Sequence, residues 1–107
     1  MWTHHWASAS FGGSSDALLD LVEEILTQRW RAHRVRRGPG SVSARTRMSW
    51  RSWGETIQCS VAGDGAVTTV TVASRPSFPG TLYDYRKNQQ NVTLLLEQLQ
   101  EGAVVRY

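Results

Sequence analysis

The sequence contains little cysteine and no long apolar run, and both absences limit what the protein can be. Cys59 is the lone cysteine, so no disulfide forms within the chain, and its place between Ile57 and Val61 is typical of a small buried hydrophobe. No apolar run approaches the ~20 residues of a membrane-spanning helix. Residues 1–6 lack the basic and apolar regions of a signal peptide. These absences predict a soluble protein, with the cytoplasm as its default location.

Length and composition limit the number of domains. The chain has 107 residues, of which 40% are hydrophobic. This is enough for one hydrophobic core, and too much apolar content for a disordered chain. We therefore predict a single domain over residues 1–107, with a core at about 2–100 and a tail at 101–107.

Acidic residues are missing from one long stretch of the chain. No Asp or Glu occurs from Ile25 through Gly54. Eight of the twelve basic residues lie in that stretch, namely Arg29, Arg31, Arg34, Arg36, Arg37, Arg45, Arg47 and Arg51. Such asymmetry can attract an anionic partner. The alternative is a solvated arginine-rich surface. The chain has eleven arginines and one lysine. This ratio fits the alternative, because codon bias alone can produce an excess of arginine over lysine.

Hydrophobic periodicity predicts a strand and a helix in the first third of the chain. Residues 2–11 alternate as a strand does, and a Gly-Gly pair interrupts them. Ser14 or Ser15 is expected to cap the helix that follows over residues 16–30. Its apolar positions repeat at helical spacing and form one buried stripe: Leu18, Leu21, Val22, Ile25 and Leu26.

The remaining patterns predict four strands and a final helix. The strands are placed at 33–37, 41–48, 56–62 and 66–74, and glycine-containing turns follow the first and third of them. The final helix is placed at about 84–100, with Gly102 as its natural stop. The resulting class is α+β with the order β-α-β-β-β-β-α. We expect a curved antiparallel sheet with both helices on one face.

Strand alternation then assigns side chains to the uncovered face of that sheet. Successive side chains point to opposite faces of a strand. The predicted uncovered face therefore carries an aromatic residue and four arginines as a candidate binding surface: Trp6, Arg34, Arg36, Arg45 and Arg47.

Two segments, residues 48–55 and 84–92, carry a resemblance to a known family. They read Met-Ser-Trp-Arg-Ser-Trp-Gly-Glu and Asp-Tyr-Arg-Lys-Asn-Gln-Gln-Asn-Val. The chain resembles small bacterial domains of unknown function that pair a Ser-x-x-Ser-Trp-Gly-Glu segment with an Asp-Trp-Gly-Lys-Asn-x-x-Asn-Val segment. Here Tyr85-Arg86 replaces the family's Trp-Gly. The element order is also similar to the TATA-box-binding-protein-like and helix-grip folds. This likeness implies a topology and no activity.

The same two segments form either a structural latch between sheet and final helix or a site. The interpretation as a latch is favoured, because helix capping and buried side-chain hydrogen bonds account for these residue types. The residues concerned are Trp50, Ser52, Trp53, Glu55, Asp84, Lys87, Asn88 and Asn91.

Catalytic chemistry has little support in the sequence. The chain contains no recognisable nucleophile motif or carboxylate pair. His4, His5, His33 and Cys59 match no zinc spacing. We therefore expect no enzyme, no cofactor and no metal.

Two functions stay open. The first is a non-catalytic binding or interaction module that holds an apolar ligand or a protein partner at the sheet. The second, not favoured, is nucleic-acid binding through the arginines and tryptophans of the uncovered face. A homodimer that buries this face is a further possibility.

Overall fold

The computed structural model describes residues 5–46, 54–63, 67–76 and 85–106. These residues form five strands, two α-helices and one π-helical turn. The strands are β1 (His5–Gly12), β2 (His33–Arg37), β3 (Ser41–Arg45), β4 (Glu55–Gly63) and β5 (Val67–Pro76). The helices are α1 (Ser15–Glu24) and α2 (Tyr85–Arg106), and the π turn is Ile25–Arg29. The predicted α+β class and the order of its elements are confirmed.

The described strands form one antiparallel sheet in the order β1-β5-β4-β3-β2. Strands β2 to β5 follow one another as a meander, and β1 pairs with β5 along its whole length. The first and second strands therefore lie at opposite edges of the sheet. The chain crosses between these edges through α1 and the π turn, which lie over one face.

Both helices pack on the same face of the sheet, and the core lies between them and the strands. The strands contribute Val42, Ala44, Ile57, Cys59, Val70 and Val72, all buried. The helical side contributes Leu18, Leu19, Leu21, Val22, Ile25, Leu26, Val92, Leu95 and Leu99. Each Leu, Ile or Val among them stabilises the fold by about 1.5–3 kcal/mol through burial of its side chain. The predicted stripe of α1 is confirmed, with Leu19 as an added member.

The first helix begins at a side-chain cap. Ser14 precedes α1 in extended conformation, and its hydroxyl accepts a hydrogen bond from the backbone N–H of Ala17 at 3.1 Å. Asp16 lies in the first turn, where a negative charge is favoured by the helix dipole. Of the two serines that the sequence offered as caps, Ser14 is the one used.

The end of the first helical segment differs from the continuous helix predicted over 16–30. The last five residues, Ile25–Arg29, form a π turn. Arg31 then takes a left-handed φ of 51°, and the N–H of Ala32 donates to the carbonyl of Leu26 at 2.9 Å. A left-handed residue at this position normally ends a helix, and glycine is its usual occupant. The predicted end at residue 30 agrees with the structure to within one residue, whereas no sequence pattern indicates the π turn or the left-handed arginine.

The second helix continues beyond the predicted stop. Gly102 lies inside α2, which runs to Arg106 and includes most of the tail that the sequence could not assign. A Cβ at Gly102 would lie 2.9 Å from Cδ2 of Leu21, so glycine here permits close packing on α1. Gly102 therefore has a packing role and does not end the helix. Among the described residues, neither helix is long and apolar enough to cross a membrane.

Candidate functional site

The face of the sheet opposite the helices is uncovered by any described element, and we call it the open face. The register assigns the same side to a set of polar and small residues. They are Ser8, Ser10, Gly12, His33, Arg36, Ser41, Ser43, Arg45, Thr56, Gln58, Ser60, Ala62, Thr69, Thr71, Ala73 and Arg75, and two exposed apolar residues, Trp6 and Val67, lie on the same face. Within the described strands, this face carries no carboxylate. It therefore presents hydroxyl groups and positive charge.

The positive charge of the open face is concentrated at one end of the sheet. One row across four strands reads Arg75, Thr56, Arg45 and His33. The next row ends in Arg36, which pairs with Ser43. Since neighbouring strands lie about 4.8 Å apart, Arg75 and Arg45 are roughly 10 Å apart across the sheet. We call Arg36, Arg45, Arg75 and His33 the cationic half.

The other end of the open face is covered with hydroxyl groups. The Oγ atoms of Ser8 and Thr71 lie 2.8 Å apart, which is hydrogen-bond distance. Ser10 and Thr69 make the same kind of contact at 3.3 Å. These pairs join β1 to β5, and we call this region, with Ser41 and Ser60, the hydroxyl half. Its side chains are short, so it is smoother than the cationic half.

The predicted arginines of the uncovered face have different positions. Arg36 and Arg45 lie on the open face and are exposed. Arg34 lies at a break in the β2–β3 register and has a left-handed φ of 51°, so strict alternation does not apply to it. Trp6 lies on the open face at the edge strand, with 62% of its surface exposed. Arg47 lies outside the described residues.

Arg37 is held on the other side of the sheet by the first helix. Its Nη1 donates to Asp20 at 2.8 Å and to Glu23 at 3.1 Å. The hydrogen bond to Asp20 contributes most to the raised pKa of Arg37. Asp20 is largely exposed and Glu23 about half exposed, and solvent screening keeps the stabilisation from these contacts below about 1 kcal/mol. The arginine-rich segment is thus divided between helix packing and the open face.

Sequence reasoning missed two members of the cationic half. Arg75 follows the alternation of β5 from Thr69 through Ala73, but the predicted strand ended one residue earlier, at 74. His33 was considered only as a metal ligand. Extending the alternation to the end of β5 would have found Arg75. The register break in β2 is what puts His33 and Arg36 on one face, and no sequence signal reveals it.

A buried polar cluster joins the sheet to α2. Glu55 is fully buried, and its Oε1 accepts hydrogen bonds from Thr46 Oγ1 and Asn91 Nδ2, both at 3.1 Å. Asn91 Nδ2 also contacts the hydroxyl of buried Ser74 at 3.3 Å. We call Thr46, Glu55, Ser74 and Asn91 the polar cluster. A buried carboxyl group needs such partners, because leaving it without them costs several kcal/mol.

The structure brings together two residues of the proposed latch, Glu55 and Asn91. Lys87 lies in the first turn of α2 and Asn88 follows it. The other members, Trp50, Ser52, Trp53 and Asp84, lie outside the described residues. The contact joins the two motif-like segments as a latch would. The sequence linked those segments through resemblance, and it could not show that Thr46 and Ser74 complete the set.

The groups considered for catalysis do not come together. Burial raises the pKa of the Cys59 thiol to about 12, so the thiol is protonated at neutral pH and is a poor nucleophile. Cys59 faces the core, whereas His33 lies on the open face. Within the described parts of the chain, no three His, Cys, Asp or Glu residues are grouped as metal ligands would be.

One groove lies away from the sheet, between the two helical segments. It has a volume of about 480 Å³ and is lined by Leu21, Ile25, Gln28, Gln98 and Gly102, among others. The indole N–H of Trp30 donates to Gln98 Oε1 at 2.7 Å and ties the π turn to α2 nearby. This groove is open to solvent and mixed in polarity.

Comparison with known proteins adds no assignment. No protein-family model and no curated protein matches the chain. The resemblance based on the two motif-like segments therefore stays a prediction.

Proposed function

We propose that the chain is a non-catalytic interaction module whose open face binds an acidic surface of a partner protein. One observation carries this proposal: a whole sheet face, which no described element covers and which is free of described carboxylates, concentrates Arg36, Arg45 and Arg75 at one end. None of these arginines makes an ion pair with a described carboxylate. An acidic partner would supply the missing charge, and such complementarity steers association.

The chemistry of the open face favours a protein partner over an apolar ligand. Its central strands present Ala73, Gln58 and Ser43 in one row, and these side chains are small or polar. The covered face is filled by the buried core. A partner surface that contributes carboxylates to the cationic half and hydrogen bonds to the hydroxyl half fits this composition better.

Nucleic acid is the second candidate, supported by the arginines together with exposed Trp6. Stacking of bases on a sheet requires aromatic side chains at its centre. On the described open face, Trp6 is the one aromatic residue, and it lies at the edge strand. Three arginines and one histidine also limit the number of phosphates that could be neutralised. The acidic protein surface is therefore preferred.

Titration with defined probes tests both candidates. The fluorescently labelled probes are a short polyglutamate peptide, a single-stranded oligonucleotide and a duplex, each titrated at low and at physiological ionic strength. We expect the peptide to bind at low salt and more weakly as salt rises. The double variant R45Q/R75Q should reduce peptide affinity roughly fivefold or more, since it removes two of the interacting charges.

The matched control is R29Q/R31Q, which removes two exposed arginines from the helical side and lowers net charge equally. It should leave peptide affinity within about twofold, because neither arginine belongs to a strand of the open face. If R45Q/R75Q and R29Q/R31Q lost peptide affinity equally, net charge alone would drive binding. That result would refute a site on the open face. Tighter binding of either oligonucleotide than of the peptide would favour the nucleic-acid function.

A further inference from the structure

The outer edge of β1 is a long, regular and uncharged strand edge. All eight residues of β1 pair with β5 in unbroken register, from His5 opposite Ser74 to Gly12 opposite Val67. The strand contains no Lys, Arg, Asp, Glu or Pro. No described strand pairs with its other side. Over residues 6–12, an edge of this kind presents backbone N–H and C=O groups that make no described hydrogen bond on the outer side, and it readily accepts another strand.

The opposite edge of the same sheet carries the usual protection against pairing. Strand β2 has five residues and a register break between His33 and Arg36. It also bears Arg34, Arg36 and Arg37. Short length, irregular pairing and charge each discourage edge-to-edge association. The molecule thus protects one edge and leaves the other regular over eight residues.

The side chains of β1 suit a second copy of β1 in antiparallel orientation. Ser8 and Ser10 face one side, and Ala7 and Ala9 face the other. Small uncharged residues would therefore meet small uncharged residues on both faces. Two copies of β2 would instead bring arginines together. Trp6, exposed by 62%, lies on β1 and would gain cover from the strand of the second copy.

We propose that two copies of the chain associate through their β1 edges, antiparallel and about a two-fold axis, to form one continuous sheet. An antiparallel pair of identical strands gives a closed, isologous contact. The open faces of both copies then lie on one side of the joined sheet, with a cationic half at each end. This proposal does not depend on the acidic partner, because it uses the backbone of β1 and not the arginines.

The dissociation constant of the full chain and its variants, measured by sedimentation, tests the proposal. The chain at about 0.1 mM should sediment at twice its mass of 12.0 kDa. In the variant S8K/S10K, lysines of the two copies lie opposite or diagonal to each other across the edge. Their repulsion should raise the dissociation constant of the dimer about tenfold or more. The dissociation constant of the S8E/S10E dimer should rise by a similar factor. An equimolar mixture of the two variants should recover the dimer, since opposite charges then meet.

The matched control is Q58K/S60K, which adds two lysines to the same face on the central strand β4. It should keep the affinity of the unmodified chain within about twofold, because β4 is two strands from the edge. A monomeric unmodified chain would overturn the proposal. A dimer weakened by Q58K/S60K would also overturn it, because that result would indicate face-to-face packing. Failure of the folded S8K/S10K and S8E/S10E variants to associate when mixed would overturn it as well. Thermal unfolding of each variant establishes that it is folded.

Discussion

Asn91→Leu should lower the free energy of unfolding by about 2–3 kcal/mol, because it removes a donor from a buried carboxyl group. Asn91 Nδ2 lies 3.1 Å from Oε1 of Glu55, and Glu55 is fully buried. Leucine cannot donate a hydrogen bond, and water does not reach the carboxyl group to replace the lost partner. Urea unfolding at equilibrium, followed by tryptophan fluorescence, measures the difference.

Gln90→Leu is the matched control for Asn91→Leu. Gln90 precedes Asn91 on α2 and is exposed, so the same change from amide to leucine should alter stability by less than about 0.5 kcal/mol. A double-mutant cycle sharpens the test. In a Glu55→Gln background, Asn91→Leu should destabilise the fold by about 1 kcal/mol less, because Glu55→Gln has already changed the acceptor that Asn91 Nδ2 contacts. If Asn91→Leu lowered the free energy of unfolding equally with and without Glu55→Gln, Glu55 and Asn91 would not be coupled.

Gly54→Ala should lower the free energy of unfolding by about 3 kcal/mol. Gly54 has a φ of 89°, and a Cβ there would lie 2.7 Å from the backbone carbonyl oxygen of Thr46. Alanine in this conformation is strained by about 1–2 kcal/mol, and the contact forces the backbone apart beyond that. The displaced backbone also supports the polar cluster, since the N–H of Glu55 donates to Thr46 Oγ1 at 2.7 Å. Thermal and urea unfolding measure the loss.

Gly12→Ala provides the control for this glycine substitution. A Cβ at Gly12 would meet no atom within 4 Å, so alanine should change stability by less than about 0.5 kcal/mol. If the two alanine variants unfolded at the same urea concentration, the close approach at Gly54 would not be a constraint on the fold.

Much of the architecture could be predicted because it follows from local periodicity. The alternation in β4 and β5 and the stripe in α1 each reflect one buried side of one element. The failures lie where tertiary contacts decide. Glycine commonly ends a helix, yet Gly102 packs against Leu21 and lies inside α2. The left-handed backbone of Arg31, just after the helical segment, is likewise not indicated by any sequence pattern.

The candidate site could be predicted only in part for a related reason. Trp6, Arg36 and Arg45 lie on the open face, and each follows from alternation within its own strand. The grouping of Arg75 with them depends on pairing between strands that are distant in sequence. The contact of Asn91 with Glu55 likewise depends on how α2 crosses the sheet. Such contacts depend on how the elements pack together and cannot be predicted from the residues of one element.

Chemical-shift mapping of the bound acidic peptide tests the central claim most directly. Amide resonances of the ¹⁵N-labelled chain are recorded while the polyglutamate peptide is added at low ionic strength. The open-face account predicts that the largest shifts fall on Arg36, Arg45 and Arg75 and on their neighbours in β3, β4 and β5. Shifts confined to the groove between the helical segments, at Gln28 and Gln98, would contradict it, as would a spectrum that does not change.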